Sequence, residues 1–150
     1  MTAIAFTVAG TPAPQGSKRP VGRTSAGHAI LVEDSRRVKP WRALVTAAAA
    51  DLPRLAGSGP LRLDATFRFA RPAVHFLPAN RRRSAPELRA GAPVYHATAP
   101  DLSKLIRALE DALTDAGLWP DDRLVAVETG RKLWCGPDER PGADVLVAEL

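Results

Sequence analysis

Leu61-Arg62-Leu63-Asp64-Ala65-Thr66-Phe67-Arg68-Phe69 sets an apolar or small side chain at every odd position and a charged or hydroxyl one at every even position. That period of two belongs to a strand with one face on a core and the other in water. Asp101 to Gly117 carries the other period. At about 100° per residue, Leu102, Leu105, Ile106, Leu109, Ala112, Leu113 and Ala116 fall in one arc, opposite Ser103, Lys104, Arg107, Glu110, Asp111, Thr114 and Asp115. An amphipathic strand and an amphipathic helix each have an apolar face to bury. Together they predict an α+β fold, a mixed β-sheet with helices packed against it.

The rest of the chain is read outward from these two elements. Ile4 to Val8 alternates and stops at Gly10-Thr11-Pro12-Ala13-Pro14, a strand closed by a Pro-rich turn. Gln15 to Arg23 reads as a basic loop and His28 to Glu33 as a second strand. Ser35 offers an N-cap for a helix running to about Asp51, with Pro40-Trp41 as an early irregularity. Gly117 stops the second helix, and Leu124 to Leu133 and Val145 to Leu150 read as closing strands. Between residues 71 and 100 periodicity disappears and Pro recurs around Arg81-Arg82-Arg83, so this segment is expected to be a mobile basic loop. The order is β-β-α-β-loop-α-β-β in one domain spanning residues 1–150.

Composition narrows the function. Residues 1–100 hold 15 Lys or Arg against 5 Asp or Glu, whereas residues 101–150 hold 6 against 11, so a basic body surrounds an acidic knot. The basic body suits a polyanion such as nucleic acid. The lone Cys135 cannot form an internal disulfide, and no Cys/His spacing resembles a zinc site, which points to a reducing cytoplasm. No basic leader precedes the first strand, and no apolar run reaches the ~18 to 20 residues of a membrane span, so no membrane partner is expected. Few aromatics make a thin core, for which burial at a subunit interface is an ordinary remedy. His28, His75 and His96 lack ligand spacing and read as surface or loop residues, although His96 is near enough to Asp101 in sequence to reach a bound phosphate.

The chemistry is concentrated in the acidic knot. Pro100 biases the residue before it toward extended backbone, so Asp101 falls at a helix N-terminus, where its carboxylate is either an N-cap or a metal ligand. Asp121 and Asp122, after the Gly117-Leu118-Trp119-Pro120 turn, are either a solvated turn or the other half of the same site. Glu110 and Asp111 have an ordinary role in pairing with Arg107 three and four residues away. Carboxylates gathered in this way repel one another unless protonation, a basic partner or a divalent cation intervenes.

The run from Pro100 to Asp122, Pro-Asp-Leu-Ser-Lys-Leu-Ile-Arg-Ala-Leu-Glu-Asp-Ala-Leu-Thr-Asp-Ala-Gly-Leu-Trp-Pro-Asp-Asp, closely resembles the core motif of the RusA family of Holliday-junction resolvases. The shared elements are an Asp-Leu-Asp-x-Leu opening, a downstream basic residue, an Asp-Ala-Leu-Thr helix end, a Gly-x-Trp turn and a closing Asp-Asp pair. The resemblance implies Mg²⁺-dependent hydrolysis of branched DNA by a homodimer, with Mn²⁺ able to substitute. It places metal-binding acids at Asp101 and Asp122 and a basic catalytic residue at Arg107. It also implies work in the cytoplasm of a bacterial or phage-infected cell, on four-way junctions, with no small-molecule cofactor. Lys18, Arg19, Arg23, Arg81, Arg82, Arg83 and Lys104 would contact the DNA.

One position departs from the pattern. Ser103 stands where the opening has its second acid, and a neutral hydroxyl is a weaker ligand for a hard cation. Asp121, or a water bridging from Ser103, would compensate. A rival reading follows from the same substitution, a branched-DNA-binding protein that cuts weakly or not at all. A third is a basic structural protein without preference for branched DNA.

Overall fold

The computed structural model describes residues 2–16, 18–33, 36–57 and 59–150, except for the side chains at 18, 19 and 31–33. In chain order the elements are β1 (Ala3–Ala9), β2 (Lys18–Arg23), β3 (Ala29–Glu33), α1 (Val38–Ala49), β4 (Leu61–Phe69), α2 (Leu102–Asp115), β5 (Val125–Trp134) and β6 (Gly142–Glu149). Four strands form one sheet in the order β1-β6-β4-β5, and β2 and β3 form a separate two-stranded arm. The sheet is mixed: β6 runs antiparallel to β1 and β4, and β4 runs parallel to β5. A parallel pair needs a long crossover, which the chain makes through α2.

The alternation in β4 decides which face is covered. Leu61, Leu63, Ala65, Phe67 and Phe69 are all buried, together with Ile4 and Val8 of β1 and Ala143, Val145 and Val147 of β6. Against them pack Trp41, Val45 and Ala49 of α1 and Leu105, Leu109, Ala112 and Leu113 of α2. Both helices therefore lie on one side of the sheet. Its other face stays polar: Thr7 donates to Asp144 at 2.9 Å, Arg68 pairs with Asp144, and Arg62 with Asp64 at 2.8 Å. No described helix is long and apolar enough to cross a membrane.

Two local readings differ from the structure. The basic loop Gln15 to Arg23 contains a strand, β2, paired antiparallel with β3. Pro20 and Gly22 interrupt its ladder with a register shift between them, and those two residues also hide the strand from pattern reading. Ser35 lies outside the described residues, and α1 starts at Val38 behind Arg37, whose side chain makes no cap. Pro40 stands in the first turn, where its missing N–H breaks no helical bond.

Segment 71–100 reads in sequence as a mobile basic loop. It holds a short 3₁₀ turn at Ala73–His75 and two isolated bridges, Phe76 to Leu88 and Tyr95 to Leu133. Arg71 fastens its base, donating from Nε to the Cys135 carbonyl at 2.6 Å and from its terminal nitrogen to the Pro93 carbonyl at 2.7 Å.

Two glycines mark close approaches. A Cβ on Gly142 would collide with the Val8 carbonyl of the neighbouring strand, whereas one on Gly130 would lie 2.6 Å from Ile106 Cδ1, the far end of a flexible side chain. Gly142→Ala is expected to cost about 1–3 kcal/mol, as overpacking against backbone does, and Gly130→Ala clearly less. Urea denaturation should show the lower midpoint with an unchanged slope.

Candidate active site

α2 carries Glu110, Asp111 and Asp115 of the acidic knot, with Asp101 just ahead of it, and both of its ends are fixed through backbone. At its start Asp101 has extended φ −67°, ψ 136°, but its carboxylate accepts no capping hydrogen bond. It faces Lys104 Nζ at 3.4 Å instead, an exposed pair that contributes little to stability. The N-cap reading of Asp101 is thus met by the backbone and not by the side chain.

The approach to Asp101 is clamped by a residue that sequence reading passed over. In the β4–β5 register, Glu128, Gly130, Lys132 and Trp134 lie opposite Leu63, Ala65, Phe67 and Phe69, and so take the helix-facing side of β5. From there Lys132 Nζ donates to the Thr98 and Pro100 carbonyls, each at 2.6 Å. The His96 amide donates to the Lys132 carbonyl at 3.0 Å and the Trp134 amide to the Val94 carbonyl at 2.9 Å, so residues 94–100 run beside β5. A charged residue at a core-facing strand position was the available signal.

His96, read from sequence as a surface or loop residue, lies in a loop but is only 5 % exposed. Its ring lies 4.2 Å from those of Phe69 and Trp134, centre to centre. Burial, and then the Lys132 charge, pull its pKa below the usual histidine value. A neutral ring packed among aromatics serves the core, not a bound phosphate.

The far end of α2 sets the return path. Gly117, at φ +71°, takes the left-handed position, with the Leu118 amide on the Leu113 carbonyl at 3.0 Å and the Gly117 amide on the Thr114 carbonyl at 2.9 Å. This is a complete Schellman stop. Trp119, buried, donates from Nε1 to Thr114 Oγ1 at 2.7 Å and turns the chain back. Asp121 then caps a short 3₁₀ turn by accepting from the Arg123 amide at 2.9 Å, and it pairs with Arg123 Nε at 3.6 Å. Asp122, the first residue of that turn, is exposed.

Electrostatics show which acids gather. The Glu110 carboxyl is pushed up to about 7 by burial first, and then by the charges of Glu128, Asp122 and Asp111. Asp122 therefore joins the far half of α2, where β5 adds Glu128. Asp101 lies at the opposite end, roughly 13 Å from Glu110 along the axis at 1.5 Å per residue. Asp111 pairs with Arg42 of α1 at 3.8 Å, not with Arg107, and Asp115 also pairs with Arg42. Among the described residues Arg107 has no ion-pair partner and stays exposed between the two ends.

Asp101, Ser103, Lys104 and Arg107 thus share the exposed stripe of one helix, whereas the Trp119 turn returns Asp122 to the far half of that helix, near Glu110. The Gln15 amide donates to the Lys104 carbonyl at 2.9 Å, so the β2–β3 arm starts next to the same helix end. Arg23 and Arg81 to Arg83 stand on the arm and on the 71–92 segment; the side chains of Lys18 and Arg19 lie outside the described residues. Among the described residues no group of three His, Cys, Asp or Glu is set to hold a metal. The donors at hand, carboxylates and a hydroxyl, fit a hard cation in kind, and the mutual repulsion around Glu110 shows negative charge in excess.

Compared with known families, the chain matches the family model described as Endodeoxyribonuclease RusA over residues 11–147. No curated protein matches it.

Lys132→Met, which keeps the side-chain length but removes the donor, should lower stability by about 1 kcal/mol through loss of its hydrogen bonds to two carbonyls, one of them in exposed chain. Limited proteolysis should then cut within residues 94–100 before the rest of the chain. A second expectation follows from Glu110. Its proton is held more tightly in the folded chain than in the unfolded one, so the stability it contributes is full below about pH 4.5 and is lost as pH rises through about 7. Glu110→Gln should therefore be more stable than the parent at pH 8 and nearly equal to it at pH 4.5, read by denaturation at both.

Proposed function

The chain belongs to the RusA endodeoxyribonuclease family, whose members resolve Holliday junctions, and from that premise we propose that it is a Mg²⁺-dependent homodimeric nuclease that cuts four-way or related branched DNA by paired nicks. The observation that carries this reading is the family match across nearly the whole chain, including the stretch that holds Asp101, Arg107 and Asp122. Family nucleases generally depend on a divalent metal. Residues 1–150 act as one domain, in the cytoplasm of a bacterial or phage-infected cell, with no membrane partner and no organic cofactor.

In the proposed mechanism Asp101 and Asp122, helped by Asp121 and the Ser103 hydroxyl, would hold Mg²⁺, or Mn²⁺ in its place. A divalent ion there would supply an activated water and screening of the phosphate oxygens. Arg107, exposed and without an ion-pair partner among the described residues, would contact the scissile phosphate where negative charge develops. Its guanidinium does not release a proton near neutral pH, so it stabilises charge and does not act as a general acid. Lys104, paired with Asp101 at 3.4 Å and one helical turn from Arg107, would be a further cation for a phosphate. Arg23, Arg81, Arg82 and Arg83, with Lys18 and Arg19, hold the backbone of the DNA arms, which makes binding fall steeply with salt.

One observation favours a second reading. No three-acid group is assembled among the described residues, as expected if Ser103 has weakened the metal site, and the protein would then bind branched DNA without cutting it.

A labelled four-way junction should be nicked symmetrically with Mg²⁺ or Mn²⁺ and left whole with chelator. Asp101→Asn and Asp122→Asn should each lose at least about 100-fold in cutting while retaining junction binding, and Arg107→Gln about 10²–10³-fold. Ser103→Asp, which restores an acid, should lower the Mg²⁺ concentration needed for half-maximal cutting. Binding without cutting in either metal by the parent, with cutting gained in Ser103→Asp, would establish the second reading. Cutting that survives in both asparagine variants would refute the site.

A further inference from the structure

Between residues 71 and 92 the chain leaves the sheet, turns at Ala73–His75 and doubles back. The Leu77 amide donates to the Glu87 carbonyl at 2.8 Å and the Arg89 amide to the His75 carbonyl at 2.9 Å. The fold-back encloses an open cleft of about 810 Å³, floored by Val74, Phe76, Leu77 and Pro78 and rimmed by Arg83 and Arg89. Sites that take small organic ligands span roughly 300–1,000 Å³. Val74 is 70 % exposed and Phe76 half-buried, so this apolar floor is open to solvent and is no extension of the core.

The charge around the cleft has one sign. Residues 71–92 contain five arginines and a single acid, Glu87. Arg83 donates to Glu87 at 3.1 Å and to the Pro78 carbonyl, and Arg89 Nε donates to the Val74 carbonyl at 3.1 Å. Each guanidinium has five N–H donors, so both keep donors to spare. Arg81 and Arg82 are exposed, with side chains that have no partner among the described residues.

An apolar peptide would cover the floor but leave the arginines uncompensated. Paired duplex offers phosphates, but its bases are stacked out of reach. An unpaired nucleotide has both a flat apolar ring and an anion, which is the combination of aromatic platform and cationic groove that single strands recruit. Extrusion is easiest where stacking is already interrupted, as at a branch point.

We propose that this cleft binds one unpaired nucleobase at the branch point of DNA, with the base lying on Phe76 and the flanking phosphates on Arg83, Arg89 and the Arg81-Arg82 tip. The proposal rests on the branched-DNA reading for the source of the nucleotide. It adds a way to tell a branch from a plain duplex by the base that the branch frees.

The experiment uses full-length Asp101→Asn protein with chelator, so that the DNA stays uncut, and a junction carrying 2-aminopurine at the branch. Binding should raise the fluorescence several-fold as the base leaves the stack. Ala79→Leu/Ala85→Leu in that background fills the cleft from two exposed lining positions without adding a ring or a charge. It should abolish the rise and weaken binding of a short oligothymidylate about tenfold while duplex affinity holds. Val74→Glu, at the most exposed floor position, should also abolish the rise. An undiminished rise with unchanged oligothymidylate binding in the filled variant would overturn the proposal. So would a change in subunit number by light scattering, which would make the cleft a contact between copies. If the starting protein shows no preference for junction over duplex, the resolvase reading fails, and the oligothymidylate comparison still decides the cleft.

Discussion

The seating of α2 on β5 is the constraint from which the site follows. Gly130 gives the helix room to come down on the strand, with Ile106 and Leu102 filling the space that a side chain would need. On either side of Gly130 the same face of β5 presents Lys132 and Glu128. Lys132 reaches the segment that leads into the helix, and Glu128 adds its charge to the far half. One strand face thus touches both ends of the acidic knot. Because β5 is paired in parallel with the buried β4, its position is set by the core and not by the charges it carries.

Charge is distributed against stability and in favour of ligands. Burial first, and then repulsion from Glu128, Asp122 and Asp111, raises Glu110 to about 7, and the fold compensates the charge only in part, by giving Asp111 and Asp115 to Arg42. Arg107 lies on the same helix and pairs with none of them. A chain selected for stability alone would close that gap, since i,i+3 and i,i+4 pairs were available. An uncompensated acid group beside an unpaired cation is instead the arrangement expected of a surface that meets a phosphate and a metal together.

Legibility in the sequence followed the strength of the periodic signal. β4 and α2 bury one face each, so their patterns of two and of 3.6 stand out, and the α+β class follows from them. The described side chains of the two-stranded arm are exposed, and Pro20 and Gly22 sit inside it, so nothing periodic marks it. Asp101, Asp121 and Asp122 drew notice through motif spacing, which encodes where the chain turns but not which carboxylates meet. The grouping of Glu128 with Glu110 depends on strand register, and Lys132 on a clamp spanning over 30 residues of sequence. Neither can be read locally. The loop membership of His96 is visible in sequence, whereas its burial between Phe69 and Trp134 is a tertiary event.

The Ser103 position joins these points. Replacing a carboxylate there removes one repulsive charge from the exposed stripe at the start of α2 and leaves Asp101 balanced by Lys104 alone. The start of the helix is thereby electrically quiet, while the far half, around Glu110, holds the excess. Affinity for a hard cation grows with the number of carboxylates that face it, so a divalent ion would draw its attraction more from the Asp122 side than from the Asp101 side. In the proposed site Asp101 would then be the ligand whose placement matters most, because it has the fewest neighbouring acids. The Lys132 clamp on the two carbonyls just ahead of it restricts that placement: the loss of one acid raises the demand on the backbone that positions the other.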